Sequence, residues 1–387
     1  MKILMYRWKA YNHDDMYHAL LDMGYEVEVT LREASNYERD EDYAAELTRQ
    51  IRENGYDMMF SINFFPILSN VCEKCNIKYV AVNCDSPLLT MYNRAIYNTC
   101  NYIFTFDKTN YYEMRDMNVK NIFYMPLCVN THRIDKLLEG AKDLEKYHSE
   151  ISFVGSLYDK NSYDEIEDKL SDYLRGYFDA VINAAMDTYG EDILTRLITP
   201  DIMAELSQYI HLEKTEDSFV DIPLVFKNTF LGFKIAQLER KRHLIKLASK
   251  HEVHLYTYGN TENLYGVQVH DKVDYMTVMP KIFHSSLINL NFTIKNIKSG
   301  IPLRVFDVLG SGGFLITNFQ AELPAYFENK KDLVYYESEQ DLYRKADYYL
   351  NHEEERLEIA RNGYNKVQKY HTYKIRLEQI FKIVLDK

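Results

Sequence analysis

Two doubly wound α/β domains are predicted for this chain, on three observations. Short apolar runs alternate with helical patterns from Lys2 to Met125, and the same alternation returns from Val253 to Tyr336. Between them, Pro126 and the charged stretch Asp135–Ser149 break the pattern where a linker helix is expected. At 387 residues the chain is also too long for one ordinary core and comfortable for two.

The elements follow in order. Lys2–Tyr6 reads as a buried strand, and His13–Met23 as a helix led by Asn12 as cap and stopped by Gly24. Tyr25–Thr30 alternates apolar and polar, as a strand exposed on one face does, and Asp42–Asn54 is a helix ending at Gly55. Asp57–Ile62, Lys78–Val82, Tyr102–Phe106 and Ile122–Met125 are further short apolar strands, each after a helical stretch. Strand–helix–strand units at this spacing imply a parallel sheet with helices on both faces. A second set of strands begins at Ile151–Gly155 and continues with Val253–Thr257, Val267–His270, Leu287–Asn291, Phe314–Thr317 and Leu333–Tyr336. Between its first two members, Leu, Ile, Phe and Tyr recur at helical intervals with no strand signal, so residues 160–250 are expected to be a helical insertion. Ser338 with Asp341 forms a capping-box-like helix start, and the chain closes on the helical stretch Tyr373–Leu385. The expected division is therefore residues 1–130, a linker helix at 131–150, a second domain at 151–370, and a C-terminal helix at 371–387 packing back on the first domain. In open α/β sheets ligands bind at the carboxyl ends of the strands, so the chemistry is expected in the cleft where the two domains face each other.

Bulk properties exclude several classes. A net charge of −12 opposes non-specific nucleic-acid binding, which needs surplus Lys and Arg to displace counterions. A few basic residues still suffice for a local diphosphate pocket. No apolar run approaches the roughly 20 residues that span a bilayer. The apolar start Met1–Tyr6 meets Arg7 and Lys9 at once, unlike a signal peptide, so a cytoplasmic location is expected. The five cysteines have no framework spacing, and the Cys72/Cys75 pair has no second pair to complete a metal site. Of the 34 tyrosines, most are read as core-edge residues, with a minority available to stack on sugar rings. His254, His270 and His284 lack ligand spacing and are read as structural.

The most informative segment is Lys298–Thr317. Pro302 suits the first turn of a helix, and Gly300 before it lets a ligand approach the backbone. Such a helix start offers free N–H groups and the positive end of the dipole to an anion. Arg304 and Asp307, three residues apart, share a face. Arg304 can meet a diphosphate bidentately, and Asp307 can accept from vicinal ribose hydroxyls. Gly310, Gly312 and Gly313 then turn the chain into the next strand. The structural alternative is a plain helix-to-strand turn with an intrahelical Arg304–Asp307 pair.

Lys298–Thr317, with Ala321–Pro324 and Leu333–Tyr336, resembles the donor-site motif of GT-B glycosyltransferases. More closely, the chain resembles the CgeB-type (spore-maturation-protein-like) family. That resemblance rests on Phe153–Ser156, Ile288–Asn291 and His371–Tyr373 in the second half, and on Asn63–Pro66, Asp85–Pro87 and Met125–Leu127 in the first. It implies a GT-B fold with two Rossmann-like domains and the donor mainly on the C-terminal one. It implies a metal-independent hexosyltransferase, retaining more than inverting, in a bacterium. A nucleotide sugar, with a UDP-sugar favoured, serves as co-substrate, and no further cofactor is expected. The acceptor is a protein or glycan. Asp307 falls where an acidic residue holds the ribose; Ser299, Gly300 and Ile301 where backbone meets the diphosphate or sugar; Gly155 and Ser156 at the loop near the phosphates; Asp274 and Tyr275 at the base-contacting stretch. The sequence departs from the family pattern in two places: Ser299 and Asp307 stand where retaining members have two glutamates, and Ser156 replaces a basic residue.

Asp85, at the carboxyl end of the Lys78–Val82 strand, is the first candidate for a catalytic or acceptor-orienting carboxylate; its alternative is a turn cap before Pro87. His13, beside Asp14 and Asp15 in the loop after the first strand, is the second, against a role as a surface helix start. Trp8 and Asn63 are candidate acceptor contacts, against packing and turn roles. Two other functions are compatible with the donor motif: a GT-B-fold nucleotide-sugar epimerase, and a non-catalytic two-lobed binding module. Oligomeric state is not legible.

Overall fold

A computed structural model of the chain describes residues 1–386. Among the described residues the first unit comprises 1–128, 212–221 and 372–386, and the second 129–211 and 222–371. Each is built on one six-stranded parallel sheet.

In the first unit the strands are β1 (Lys2–Met5), β2 (Glu26–Val29), β3 (Met58–Ile62), β4 (Lys78–Val82), β5 (Asn101–Thr105) and β6 (Ile122–Tyr124), in the order β2-β1-β3-β4-β5-β6. Strands covered on both faces read as nearly continuous apolar runs, which is why Ile3, Met5, Phe60, Ile62, Val80, Val82 and Phe104 are all buried. The helices His13–Asp22 and Tyr373–Leu385 supply Leu20, Leu377, Phe381 and Val384 to the same core. Residues 212–221 belong here as well. Ser218 forms an antiparallel bridge with Asn93, Phe219 N–H donates to Tyr92 O at 2.9 Å, and the Phe219 ring lies 6.0 Å from that of Tyr92.

The second unit holds β7 (Ser149–Val154), β8 (Val253–Tyr256), β9 (Gln268–His270), β10 (Ser286–Asn291), β11 (Leu315–Asn318) and β12 (Val334–Tyr336), in the order β12-β11-β10-β7-β8-β9. The order reverses between β7 and β10, so crossovers leave their shared edge on opposite faces and open a crevice at their carboxyl ends. The insertion between β7 and β8 is helical, with its own core of Leu174, Phe178, Ile182, Leu206, Phe226 and Leu231. All twelve expected strands are present, with ends displaced by at most two residues, as fraying at element ends allows.

Three local expectations are corrected. The linker helix expected at 131–150 starts at Thr131, where the Asn130 side chain caps it by accepting from Arg133 N–H at 3.0 Å, but ends at Glu139 before Gly140, with only a short 3-10 turn at Leu144–Tyr147 beyond. Asn12 stands before the first helix without capping it, since its amide is directed to the Cys84 sulfur at 3.4 Å. Pro302 lies one residue before the helix Leu303–Gly310, its ψ of 156° keeping it extended. Ser338 does cap its helix, accepting from Asp341 N–H at 3.2 Å.

Two glycines make opposite tests of this packing. A Cβ on Gly313 would lie 2.4 Å from the Phe283 carbonyl oxygen, whereas one on Gly176, inside the helix Asp172–Met186, meets nothing within 4 Å. Gly313→Ala should lower stability by about 1–3 kcal/mol, and Gly176→Ala should raise it by about 0.5–1 kcal/mol. Urea midpoints of the two variants, moving in opposite directions from the parent, check both.

Candidate functional site

The carboxyl ends of β10 and β11 are locked by a buried polar network. Asn291 Nδ2 donates to Thr293 Oγ1 and Thr317 Oγ1, both at 2.9 Å, and Asn318 Oδ1 accepts from Thr293 N–H at 2.7 Å. Inside the sheet, Asn289 accepts from the Ser152 hydroxyl at 2.8 Å and donates to Phe283 O at 2.9 Å. Buried amides satisfied on both sides fix a single geometry, which is what a binding loop above them requires.

From this base the chain runs through Ser299, Gly300 and Ile301, all buried, into the helix Leu303–Gly310. Asp307 is 4% exposed on that helix. Its Oδ1 accepts from the Tyr275 hydroxyl at 2.8 Å, and its Oδ2 lies 3.4 Å from Arg304 Nη1. Arg304 also spreads over the Phe283 ring at 5.1 Å and rests against the Met279 sulfur. The predicted residues Tyr275, Arg304 and Asp307 are thus brought into one cluster. Asp274, beside Tyr275, is turned to another task. Its Oδ1 accepts from the Thr277 hydroxyl at 2.6 Å and from the N–H groups of Thr277 and Met276 at 2.8 and 3.1 Å. These bonds, the Thr277 hydroxyl first, hold its carboxyl below the usual carboxylate range. Asp274 therefore caps the turn that presents Tyr275.

Ser299 donates to Glu322 Oε1 at 2.7 Å, and Glu322 N–H returns to Ser299 O at 3.2 Å. A buried carboxylate thus stands directly behind the position where the family pattern has glutamate and this chain has serine. Sequence reasoning missed Glu322 as a site residue because it lies 23 positions later, on another strand's loop. It also missed Arg240. Gly155 and Ser156 form the loop after β7, where a basic residue is lacking. Arg240, 84 positions on, reaches that loop and donates to Ser156 O at 2.5 Å and to Phe292 O at 2.7 Å. Its guanidinium packs on the rings of Tyr158 and Phe153, 4.9 and 5.2 Å away. The only sequence signal was the basic run Arg240–Lys241–Arg242 at the end of the insertion.

In the first unit, four predicted residues gather at the ends of β1, β3 and β4. Asn63 adopts a left-handed φ of 65°, which asparagine tolerates well. Its Nδ2 donates to Asp85 Oδ2 at 2.6 Å, and its Oδ1 accepts from Cys84 N–H at 2.8 Å. Asp85 is exposed, so Asn63 orients a carboxylate that remains open to solvent. Trp8 donates its indole N–H to Ile62 O at 2.7 Å and sets its ring edge-on to Phe65 at 5.6 Å, so packing accounts for it. His13 is the first residue of its helix rather than a loop residue, and it is 4% exposed. Its Nδ1 lies 3.3 Å from Asp14 Oδ1, while Nε2 is buried with no hydrogen-bond partner among the described residues.

His254, His270 and His284 are structural: His270 Nε2 lies 3.1 Å from His254 Nδ1, and His284 Nδ1 lies 3.0 Å from Ser311 O. Among the described residues no group of three or more His, Cys, Asp or Glu is placed to hold a metal ion, and no helix is long and apolar enough to cross a membrane.

Burial lowers the His13 pKa against the smaller opposing pull of Asp14. The unfolded chain therefore binds this proton more readily, so the stability that neutral His13 contributes is complete above about pH 6.5 and is lost as pH falls below it. His243 and His270, whose pKa values burial also lowers, act in the same direction. Urea midpoints measured from pH 7.5 to pH 5 should fall, and His13→Gln should remove part of that fall.

Residues 240–382 match a family model described as glycosyl transferase-like. No curated protein sequence matches the chain. Among solved structures, the chain is similar to the sucrose-phosphate synthase of Thermosynechococcus elongatus, with a TM-score of 0.59 at 8% identity over 100% of this chain and 99% of that one. It is similar to Anabaena Alr3699/HepE in complex with UDP-glucose, with a TM-score of 0.57 at 8% identity over the whole of both chains. A glycosyltransferase from Rickettsia africae gives 0.53 at 9% identity, over 99% of this chain and 97% of that one. At these identities the structures speak for the fold alone. The chain has the GT-B fold, and its residues 240–382 carry a glycosyl transferase-like sequence pattern.

Proposed function

We propose that the protein is a glycosyltransferase that moves a sugar from a nucleotide-sugar donor, a UDP-sugar by preference, to a protein or glycan acceptor. The observation that carries this reading is the buried Asp307 carboxylate, held by Tyr275 and Arg304 within the segment that matches the glycosyl transferase-like model. An aspartate fixed in this way accepts from the two vicinal hydroxyls of a ribose without first having to be ordered. Arg304 and the first N–H groups of the Leu303–Gly310 helix supply positive charge for the diphosphate, both when it binds and as charge develops on it during departure. Ser299, backed by Glu322, faces the sugar's hydroxyls, and Gly155–Ser156, tied down by Arg240, approaches the phosphates. The complexes of Anabaena HepE with UDP and with UDP-glucose support UDP as the carrier. The resemblance to the CgeB-type family supports a bacterial protein or glycan acceptor.

In the proposed reaction an acceptor hydroxyl oxygen bonds to the anomeric carbon while the bond from that carbon to the diphosphate breaks. Retention is the favoured course, with the acceptor proton passing to a donor phosphate oxygen. Asp85, oriented by Asn63, then aligns the acceptor hydroxyl. Charge neutralisation by Arg304 and a helix start needs no metal ion, and the proposal includes none. No observation favours the epimerase reading.

Asp307→Ala should weaken UDP binding by about 1.5–3 kcal/mol, as for hydrogen bonds to a charged group. Arg304→Ala should weaken UDP far more than uridine. Calorimetry with UDP and uridine on the folded variants checks both, and unchanged UDP affinity in Asp307→Ala would place the ribose elsewhere.

A further inference from the structure

Apart from Arg240, the helical insertion of the second unit has no part in the reading above, yet it grips the loop that leads to Ser299 at four successive points. Arg240 Nη2 donates to Phe292 O at 2.7 Å, and Lys295 Nζ donates to Thr188 O at 2.7 Å. Asn296 Nδ2 donates to Asn228 O at 2.8 Å, and Lys298 Nζ lies 3.4 Å from Asp192 Oδ2. The Asn296 contact is unusually close. Asn228 sits in a π-helical turn, Phe226–Leu231, inserted between two α-helical stretches, and such turns recur where a helix is re-aimed for a task. Directly after it, Gly232 presents bare backbone to Asn296: a Cβ there would lie 2.3 Å from Asn296 Oδ1 and 3.0 Å from its Cγ. Asn296 is 7% exposed. The loop belongs to no helix or strand between β10 and Leu303, so these four contacts from the insertion help to set its conformation.

We infer that the insertion is the positioning element of the donor loop. Asn228 and Gly232 seat Asn296, while Asp192, Thr188 and Arg240 fix the residues on either side, so Ser299–Ile301 meet the donor sugar already ordered. The inference rests on the reading of Lys298–Thr317 as the donor site and assigns the insertion a role within it. Because Tyr275, Asp307 and the Gly155–Ser156 loop lie outside the segment that Asn228 and Gly232 seat, that seat governs the sugar and its transfer and leaves nucleotide affinity nearly untouched.

Gly232→Ala is the direct test, with the nucleotide sugar that gives the fastest diphosphate release from a panel of UDP-, GDP- and dTDP-sugars. Displacing Asn296 should lower kcat/KM by about 10- to 100-fold, as misplacement of about 1 Å does, with affinity for the free nucleoside diphosphate changed less than about twofold. The readout that a merely structural defect would not give is the split itself, a loss in kcat/KM with nucleoside diphosphate affinity and the urea midpoint nearly those of the parent. Asp192→Asn, on the partly exposed rim, gives a second and milder lesion should Gly232→Ala fail to fold. Parent turnover with both variants unimpaired overturns the inference while leaving the donor site standing. Equal losses in turnover and in nucleotide affinity also overturn it. A parent protein that releases diphosphate from no member of the panel removes the donor-site reading and this inference together.

Discussion

The buried guanidinium of Arg240 is the constraint on which the strand ends of the second unit depend. It donates to two backbone carbonyls, Ser156 O beyond β7 and Phe292 O beyond β10. These are the neighbouring strands at which the sheet order reverses, so one side chain ties together both lips of the crevice. Hydrogen bonds from a charged donor contribute about 1.5–3 kcal/mol each, and without Arg240 two carbonyls at the ends of these strands would lose their partner. The Phe153 and Tyr158 rings receive the delocalised cation where water is excluded. Lysine has neither the planar fork nor the stacking surface to replace it.

Around that tie, the principal polar side chains of the candidate site are held by partners within the unit. Tyr275 and Arg304 hold Asp307, Glu322 holds Ser299, and the Asn291–Thr293–Asn318 network holds the strand ends beneath them. A site assembled before its ligand arrives loses little entropy on binding, which is how modest numbers of contacts give useful affinity. The ion pair between Arg304 and Asp307 is the intrahelical pair expected of a plain helix, and under the proposed function it would also orient Asp307 towards a ribose. The two readings of that pair are compatible.

The sheets were legible in the sequence because their strands are buried on both faces. Runs such as Met58–Ile62 and Lys78–Val82 can hardly be anything else when helical stretches separate them. Within the site, the local part was legible: Arg304 and Asp307 are three residues apart on one helix, and helical periodicity puts them together. The long-range part was not. Arg240 reaches Ser156 across the whole insertion, Glu322 reaches Ser299 from the loop after β11, and no periodicity encodes either approach. The Asn12 amide is directed to Cys84 rather than to its helix start, and the linker helix stops at Glu139 before Gly140, short of the expected 150. The π turn at Phe226–Leu231 left no trace in composition.

The central claim is that these residues bind a nucleotide-activated sugar and detach the sugar from it. Its most direct test is incubation of the purified protein with a complete panel of nucleotide sugars, with and without protein and glycan acceptors, while nucleoside diphosphate is quantified. The account predicts release from one nucleotide class, slow by hydrolysis alone and faster with an acceptor. Tight binding of a nucleotide sugar with no release under any of these conditions would contradict it and leave a binding module in its place.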